Sequence, residues 1–145
     1  MQTARALSLV SPRPLSRCLL LLALAVSLLG ARNTPLVDPE PIDVPAGMSI
    51  EKVASVIESA ALKRRWWVDE QKPGRMVVVQ LVQGHRAKVA ITYDTKTVKI
   101  QYVSSEKLAF EAKPDGSRFI HPRYLGWVNN LRTDIQRALN APPEQ

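Results

Sequence analysis

One cysteine, six glycines and two histidines are thin provision for 145 residues, and each shortage excludes a class of chemistry. A lone thiol at Cys18 forms no disulfide within the chain and supplies no multi-cysteine metal site. The glycines are single and scattered, so there is no Gly-rich loop to cradle a phosphate. His85 and His121 share no His-x-x-x-His or Glu-x-x-His spacing. A structural zinc usually takes four protein ligands and a catalytic one three, so no metal is expected, and no cofactor. Ser104, His121 and Asp94 can be assembled on paper as a nucleophilic trio. Neither Ser104 nor Ser105 lies in a nucleophile-elbow pattern, however, and any small domain offers such a trio. The chain is therefore expected not to be an enzyme.

Acidic residues are missing from the first 31 positions, which contain Arg5, Arg13 and Arg17 followed by the uncharged run CLLLLALAVSLLG, Cys18 to Gly30. A bilayer span needs roughly 20 apolar residues, more than this run has. A basic start, a short apolar stretch and small residues describe a secretory signal peptide, cleaved after Ser27 or after Ala31. The second point leaves a polar start, Arg32-Asn33-Thr34. Cys18 opens the apolar run behind Arg17 instead of following it, so lipid anchoring through Cys18 is not expected. The mature protein is expected in the periplasm or secreted. Removing the leader also removes three of the 20 basic residues, leaving 17 against 13 acids, a net +4. That is an ordinary charge for solubility, and in an exported protein it does not argue for nucleic acid.

Residues 32–47, RNTPLVDPEPIDVPAG, have four prolines and no helical period, and read as an extended tether or an edge-lying lead-in. Ser49 then offers an N-cap. Ile50, Val53, Ile57 and Ala60, supported by Val56 and Ala61, form the apolar stripe of a first helix, with Lys63-Arg64-Arg65 in its last turn. From Trp66 to Leu108 the period is two. WWVDE, MVVVQLVQ (76–83), RAKVAITY (86–93) and TVKIQYV (97–103) read as strands, joined at QKPGR, at Gly84-His85 and at Asp94-Thr95. In the last hairpin, Ala87, Val89 and Ile91 share a face with Val98, Ile100 and Tyr102 only if opposed residue numbers have an odd sum. A two-residue loop at Asp94-Thr95 meets that condition. Tyr124, Trp127, Val128, Leu131, Ile135 and Leu139 mark a final helix, with His121 as N-cap and Pro122 at its first position. These elements predict an α+β domain over 48–140, followed by a tail at 141–145. Two layers are expected: a three- to four-stranded antiparallel meander with the N-terminal and C-terminal helices on one face.

Two groups of residues could bind something. KRRWW, 63–67, places cations beside aromatics. Adjacent strand residues point to opposite faces, so one of its tryptophans is exposed; Trp67 with Arg86, Lys88 and Lys99 gives a basic sheet face with an apolar centre. A solvated face explains the same residues without a partner. The second group is His121, Tyr124 and Ser104, with His85 at a hairpin tip. Helix capping and a continuous apolar stripe account for His121 and Tyr124 without a ligand.

RRWWV, HRAKVAITYDTKTVKIQYVSSEKL and IHPRYLGWVNNL, in that order over roughly 48–139, resemble a family of small exported proteins, many of them lipoproteins, from Gram-negative bacteria. The resemblance implies an envelope location and this fold, and transfers no active site. It singles out His85, Tyr93, Asp94, Ser104, His121, Tyr124 and Trp127. Polar groups at strand ends and the helix start could bond one another there and fix the helix to the sheet. The lipobox of the family is absent, and Leu125-Gly126 stand where its Asn would follow Tyr124. The expectation is a non-enzymatic binding or accessory protein of the cell envelope. Its partner would be an envelope protein or an anionic envelope surface, lipid or glycan, rather than nucleic acid. The alternative is a small-ligand binder or small hydrolase using the His121/Tyr124/Ser104 group.

Overall fold

A computed structural model of the chain describes residues 33–142. The leader, its two cleavage points, Cys18 and residues 143–145 of the tail lie outside the described residues. The lead-in proves to be edge-lying. Its prolines suit edge strands, which need not donate every amide, and it forms two short ones, β1 (Thr34–Pro35) and β2 (Ile42–Asp43). Leu36, Ile42 and Val44 are buried, which fastens the segment to the core.

Helix α1 (Ile50–Lys63) starts where the sequence places it. The Ser49 hydroxyl accepts from the Lys52 amide at 3.2 Å, and Val53, Ile57, Ala60 and Ala61 are buried. The meander follows as β3 (Trp66–Lys72), β4 (Arg75–Val82), β5 (His85–Tyr93) and β6 (Thr97–Glu106). With β2 against β6 they make a five-stranded sheet of order β2-β6-β5-β4-β3, antiparallel throughout. A second, three-stranded sheet joins β1 to β8 (Arg118–Ile120) and β8 to β7 (Glu111–Ala112). Strands of two or three residues have no period to read, which is why the sequence does not announce this sheet.

Two turns differ from expectation. The β4–β5 loop is Gln83-Gly84, not Gly84-His85; both residues have positive φ, 51° and 79°, the type I′ geometry that matches strand twist. His85 is therefore the first residue of β5. In the β5–β6 hairpin Tyr93 faces Val98 and Ile91 faces Ile100. The odd parity holds, but the loop is Thr95-Lys96, one residue further along. Asp94 causes the shift: its backbone amide donates to the Thr97 carbonyl at 3.1 Å, while its carboxylate accepts from the amides of Lys96 and Thr97, each at 2.7 Å.

Helix α2 (Pro122–Leu139) buries Tyr124, Val128, Leu131, Ile135 and Leu139. Together with α1 it covers the inner face of the sheet, where Trp66, Met76, Val78, Ala87, Val89, Ile91, Tyr93, Val98 and Ile100 form one core with the helix stripes. Gln80 is buried on the same face and donates to the Arg64 carbonyl oxygen at 2.7 Å, satisfying one exposed end of α1. Arg64 also pairs with Asp134 of α2, and Arg132 of α2 donates to the Glu40 carbonyl of the lead-in at 2.8 Å. Helix to helix and helix to lead-in, the inner side is tied at several points.

Candidate interaction surface

The start of α2 is a structural junction. His121 is the N-cap: its Nδ1 accepts from the Arg123 amide at 3.2 Å and its own amide donates to the Leu108 carbonyl at 2.8 Å. Tyr124 is buried, and burial pushes its phenol well above the ordinary tyrosine range, so it stays protonated. Its ring meets Tyr102 edge-on at 5.5 Å, and Tyr102 stacks on Phe110 at 4.8 Å. The Asp38 carboxylate accepts from the Tyr102 amide at 2.9 Å, capping the edge of β6 just where β2 no longer pairs with it.

The serine of this junction is Ser105, not Ser104. Its Oγ lies 3.0 Å from the Tyr102 hydroxyl. A bulge leaves Val103 without a partner on β5, so Tyr102 faces Val89 while Ser104 faces Lys88. One inserted residue reverses the alternation after it. Ser104 consequently lies on the outer face, and the His121/Tyr124/Ser104 group is not assembled. Ser104 and Ser105 are also inside a strand instead of following it. His85 is half-buried, its Nδ1 3.3 Å from the Val82 carbonyl oxygen, a contact within its own turn. Tyr93 is buried at the end of β5 and Trp127 is half-buried against the core. Among the described residues no group of three or more metal-ligating side chains occurs.

Trp67, Arg86, Lys88 and Lys99 do share the outer face of the five-stranded sheet, the face turned away from the helices. Register arranges this face in cross-strand rows. The first row is Lys72, Arg75, Thr92 and Lys99; the second is Glu70, Val77, Ala90 and Gln101. Trp67, Val79, Lys88 and Ser104 make the third, and Leu81, Arg86 and Glu106 the fourth. Val77, Val79 and Ala90 are buried apart from the helix-covered core, while Trp67 (45% exposed), Leu81 (52%) and Val103 (42%) are open.

The face is not uniformly basic. Lys88 donates to Asp69 at 2.7 Å and Arg86 to Glu106 at 3.0 Å, so two of the three expected cations are neutralised locally. Lys88 in turn holds the Asp69 carboxyl below its usual range. Positive charge concentrates instead in the first row. Arg75 has Glu70 at 3.6 Å, while neither Lys72 nor Lys99 joins an ion pair among the described residues. A shallow recess of about 160 Å³ opens beside this row, lined by Gly74, Thr92, Tyr93, Asp94, Thr97 and Lys99.

Lys72 and Arg75 are not apparent as site residues from alternation alone. Counted from Trp66, Lys72 would point to the core; the bulge at Asp69, between Val68 and Glu70, turns it outward. The usable signal is Lys-Pro-Gly-Arg itself. Pro73 and Gly74 (φ +73°) make a two-residue turn that sets Lys72 opposite Arg75. A Cβ at position 74 would stand 3.3 Å from the Tyr93 carbonyl oxygen, a tight contact added to the strain of the positive φ.

Comparison with protein-family models, with curated proteins and with solved structures finds no match for this chain. The helices of the described residues are too short or too polar to cross a membrane.

Proposed function

We propose that this is an exported protein of the bacterial envelope, periplasmic or secreted, that works without catalysis by binding a partner through the outer face of its sheet. The leader pattern and the resemblance of the ordered motifs to small exported proteins are what support the location. The observation that carries the binding role is the outer face itself: Trp67, Leu81 and Val103 stand open on a sheet whose other side already holds both helices. Exposed aromatic and aliphatic groups rimmed by charge are the composition of an interaction patch. Capping by His121 and the packing of Tyr124 on Tyr102 give the junction a structural role that requires no ligand, which supports this reading.

The test is to place a photo-crosslinking residue at Gln101 or Ser104 in intact cells and identify the adduct by mass spectrometry. A discrete protein adduct is expected. A lipid or glycan adduct moves the role to surface binding, and no adduct from either position leaves the face merely solvated. If His121→Ala abolished function with no fall in melting temperature, the ligand-pocket reading would replace this one.

A further inference from the structure

We infer that the outer face receives its partner in one orientation, with an acidic segment of an envelope protein lying over Lys72, Arg75 and Lys99 and an apolar side chain against Trp67. This rests on the binding reading above and gives it a polarity. Lys72 and Arg75 are directly opposed on neighbouring strands, and Lys99 lies in the same row beyond Thr92. Like charges placed opposite one another disfavour a sheet. The row has no acid of its own; Glu70 reaches Arg75 only at 3.6 Å. The Asp94 carboxyl, held below its usual range first by the amides of Thr97 and Lys96, is lowered further by the Lys99 charge without an ion pair between them. Asp94 lines the adjoining recess, but its carboxylate is turned into its own loop by the amides of Lys96 and Thr97. An external anion is the missing counter-charge.

The remaining rows decide what carries that anion. Lys88 and Arg86 are paired with Asp69 and Glu106 on the same face, so unpaired positive charge is confined to the first row, a narrow match for a segment of chain and not for a flat anionic bilayer. A second copy of this chain fares no better. Face-to-face pairing sets the cationic row against another cationic row, or against Arg86 and Glu106, which already satisfy each other. A protein partner can match acids to one end and apolar groups to the centre.

The experiment is amide-resolved NMR of the purified protein, titrated with a short poly-L-glutamate peptide and separately with phosphatidylglycerol vesicles, for the native chain and the Lys72→Glu/Lys99→Glu variant. The peptide should shift Lys72, Arg75, Thr92 and Lys99 first. The variant should weaken binding by about tenfold or more, and its melting temperature should hold or rise. Strong shifts at this row with vesicles but not with peptide would overturn the protein partner. So would peptide shifts confined to the Lys63–Arg65 cluster. A cellular crosslink from Gln101 that survives the double charge reversal would overturn the orientation while leaving the binding role intact. Loss of every crosslink from the native face would remove both.

Discussion

Trp66 and Trp67 are neighbours in sequence and belong to different worlds in the fold. Trp66 is 1% exposed, packed among the helix stripes; Trp67 is 45% exposed on the opposite side of the same strand. The contrast extends to the two faces of the sheet. The inner face is closed by two helices and tied by Asp134, Arg132 and Gln80. The outer face has local ion pairs, an unmatched cationic row and open apolar groups. Packing accounts for most of the inner face, where only the Trp66 Nε1 and Gln80 Oε1 atoms are buried without a partner among the described residues, whereas Trp67, Leu81 and Val103 on the outer side stay open.

Replacing either tryptophan tests this division most strongly. Trp66→Ala should cost about 3–5 kcal/mol, as expected for emptying a large buried site. Trp67→Ala should change stability by less than about 1 kcal/mol and abolish partner binding. Chemical denaturation and a binding assay on both variants separate the two faces; equal stability losses would erase the distinction.

Acidification probes the inner ties against the outer turn. The Asp134 carboxyl is held below the usual range first by its hydrogen bond from Arg64, and that of Asp94 by the amides of Thr97 and Lys96. Each lowered value means the charged form favours the fold. The contribution is complete above the unfolded carboxylate value of about 4 and is lost as pH falls through the lower folded values. Unfolding midpoints should decline on acidification below that point, and Asp134→Asn should flatten the decline.

Smaller effects should sort the junction residues. His121→Ala removes the cap of α2 and should cost about 0.5–1 kcal/mol without affecting binding. Ser105→Ala breaks the contact with the Tyr102 hydroxyl and should cost about 0.5–1.5 kcal/mol, whereas Ser104→Ala should be neutral. A larger cost at Ser104 would place the bulge elsewhere. The smallest change has the opposite sign. Lys72→Glu relieves the repulsion from Arg75 and should stabilise the protein by about 0.2–1 kcal/mol while weakening the partner. A residue whose removal improves the fold and harms the function is the signature expected of a binding group.

Much of this was legible in the residues. The Ser49 cap, the helix stripes, the odd parity of the β5–β6 hairpin and His121 as a helix start all follow from local chemistry acting over a few positions. What escaped was set by single inserted residues and by side chains acting on backbone. The bulge at Val103 exchanges Ser104 for Ser105, and the one at Asp69 turns Glu70 and Lys72 outward. The Asp94 carboxylate moves a turn by one residue. Neutralisation of Lys88 by Asp69 and of Arg86 by Glu106 depends on pairing between strands that composition does not reveal. The lead-in strands are anchored by contacts distant in sequence, Arg132 to the Glu40 carbonyl and the Tyr102 amide to Asp38, with no pattern of their own.

The central claim is that function resides on the outer face of the sheet. It is tested most directly by comparing photo-crosslinks from position 101, where Gln101 is exposed on that face, with those from position 62, where Leu62 is open on α1. A discrete protein adduct from position 101 and none from position 62 is the result expected. An adduct from position 62 alone would put the interaction on the helical side and contradict the account.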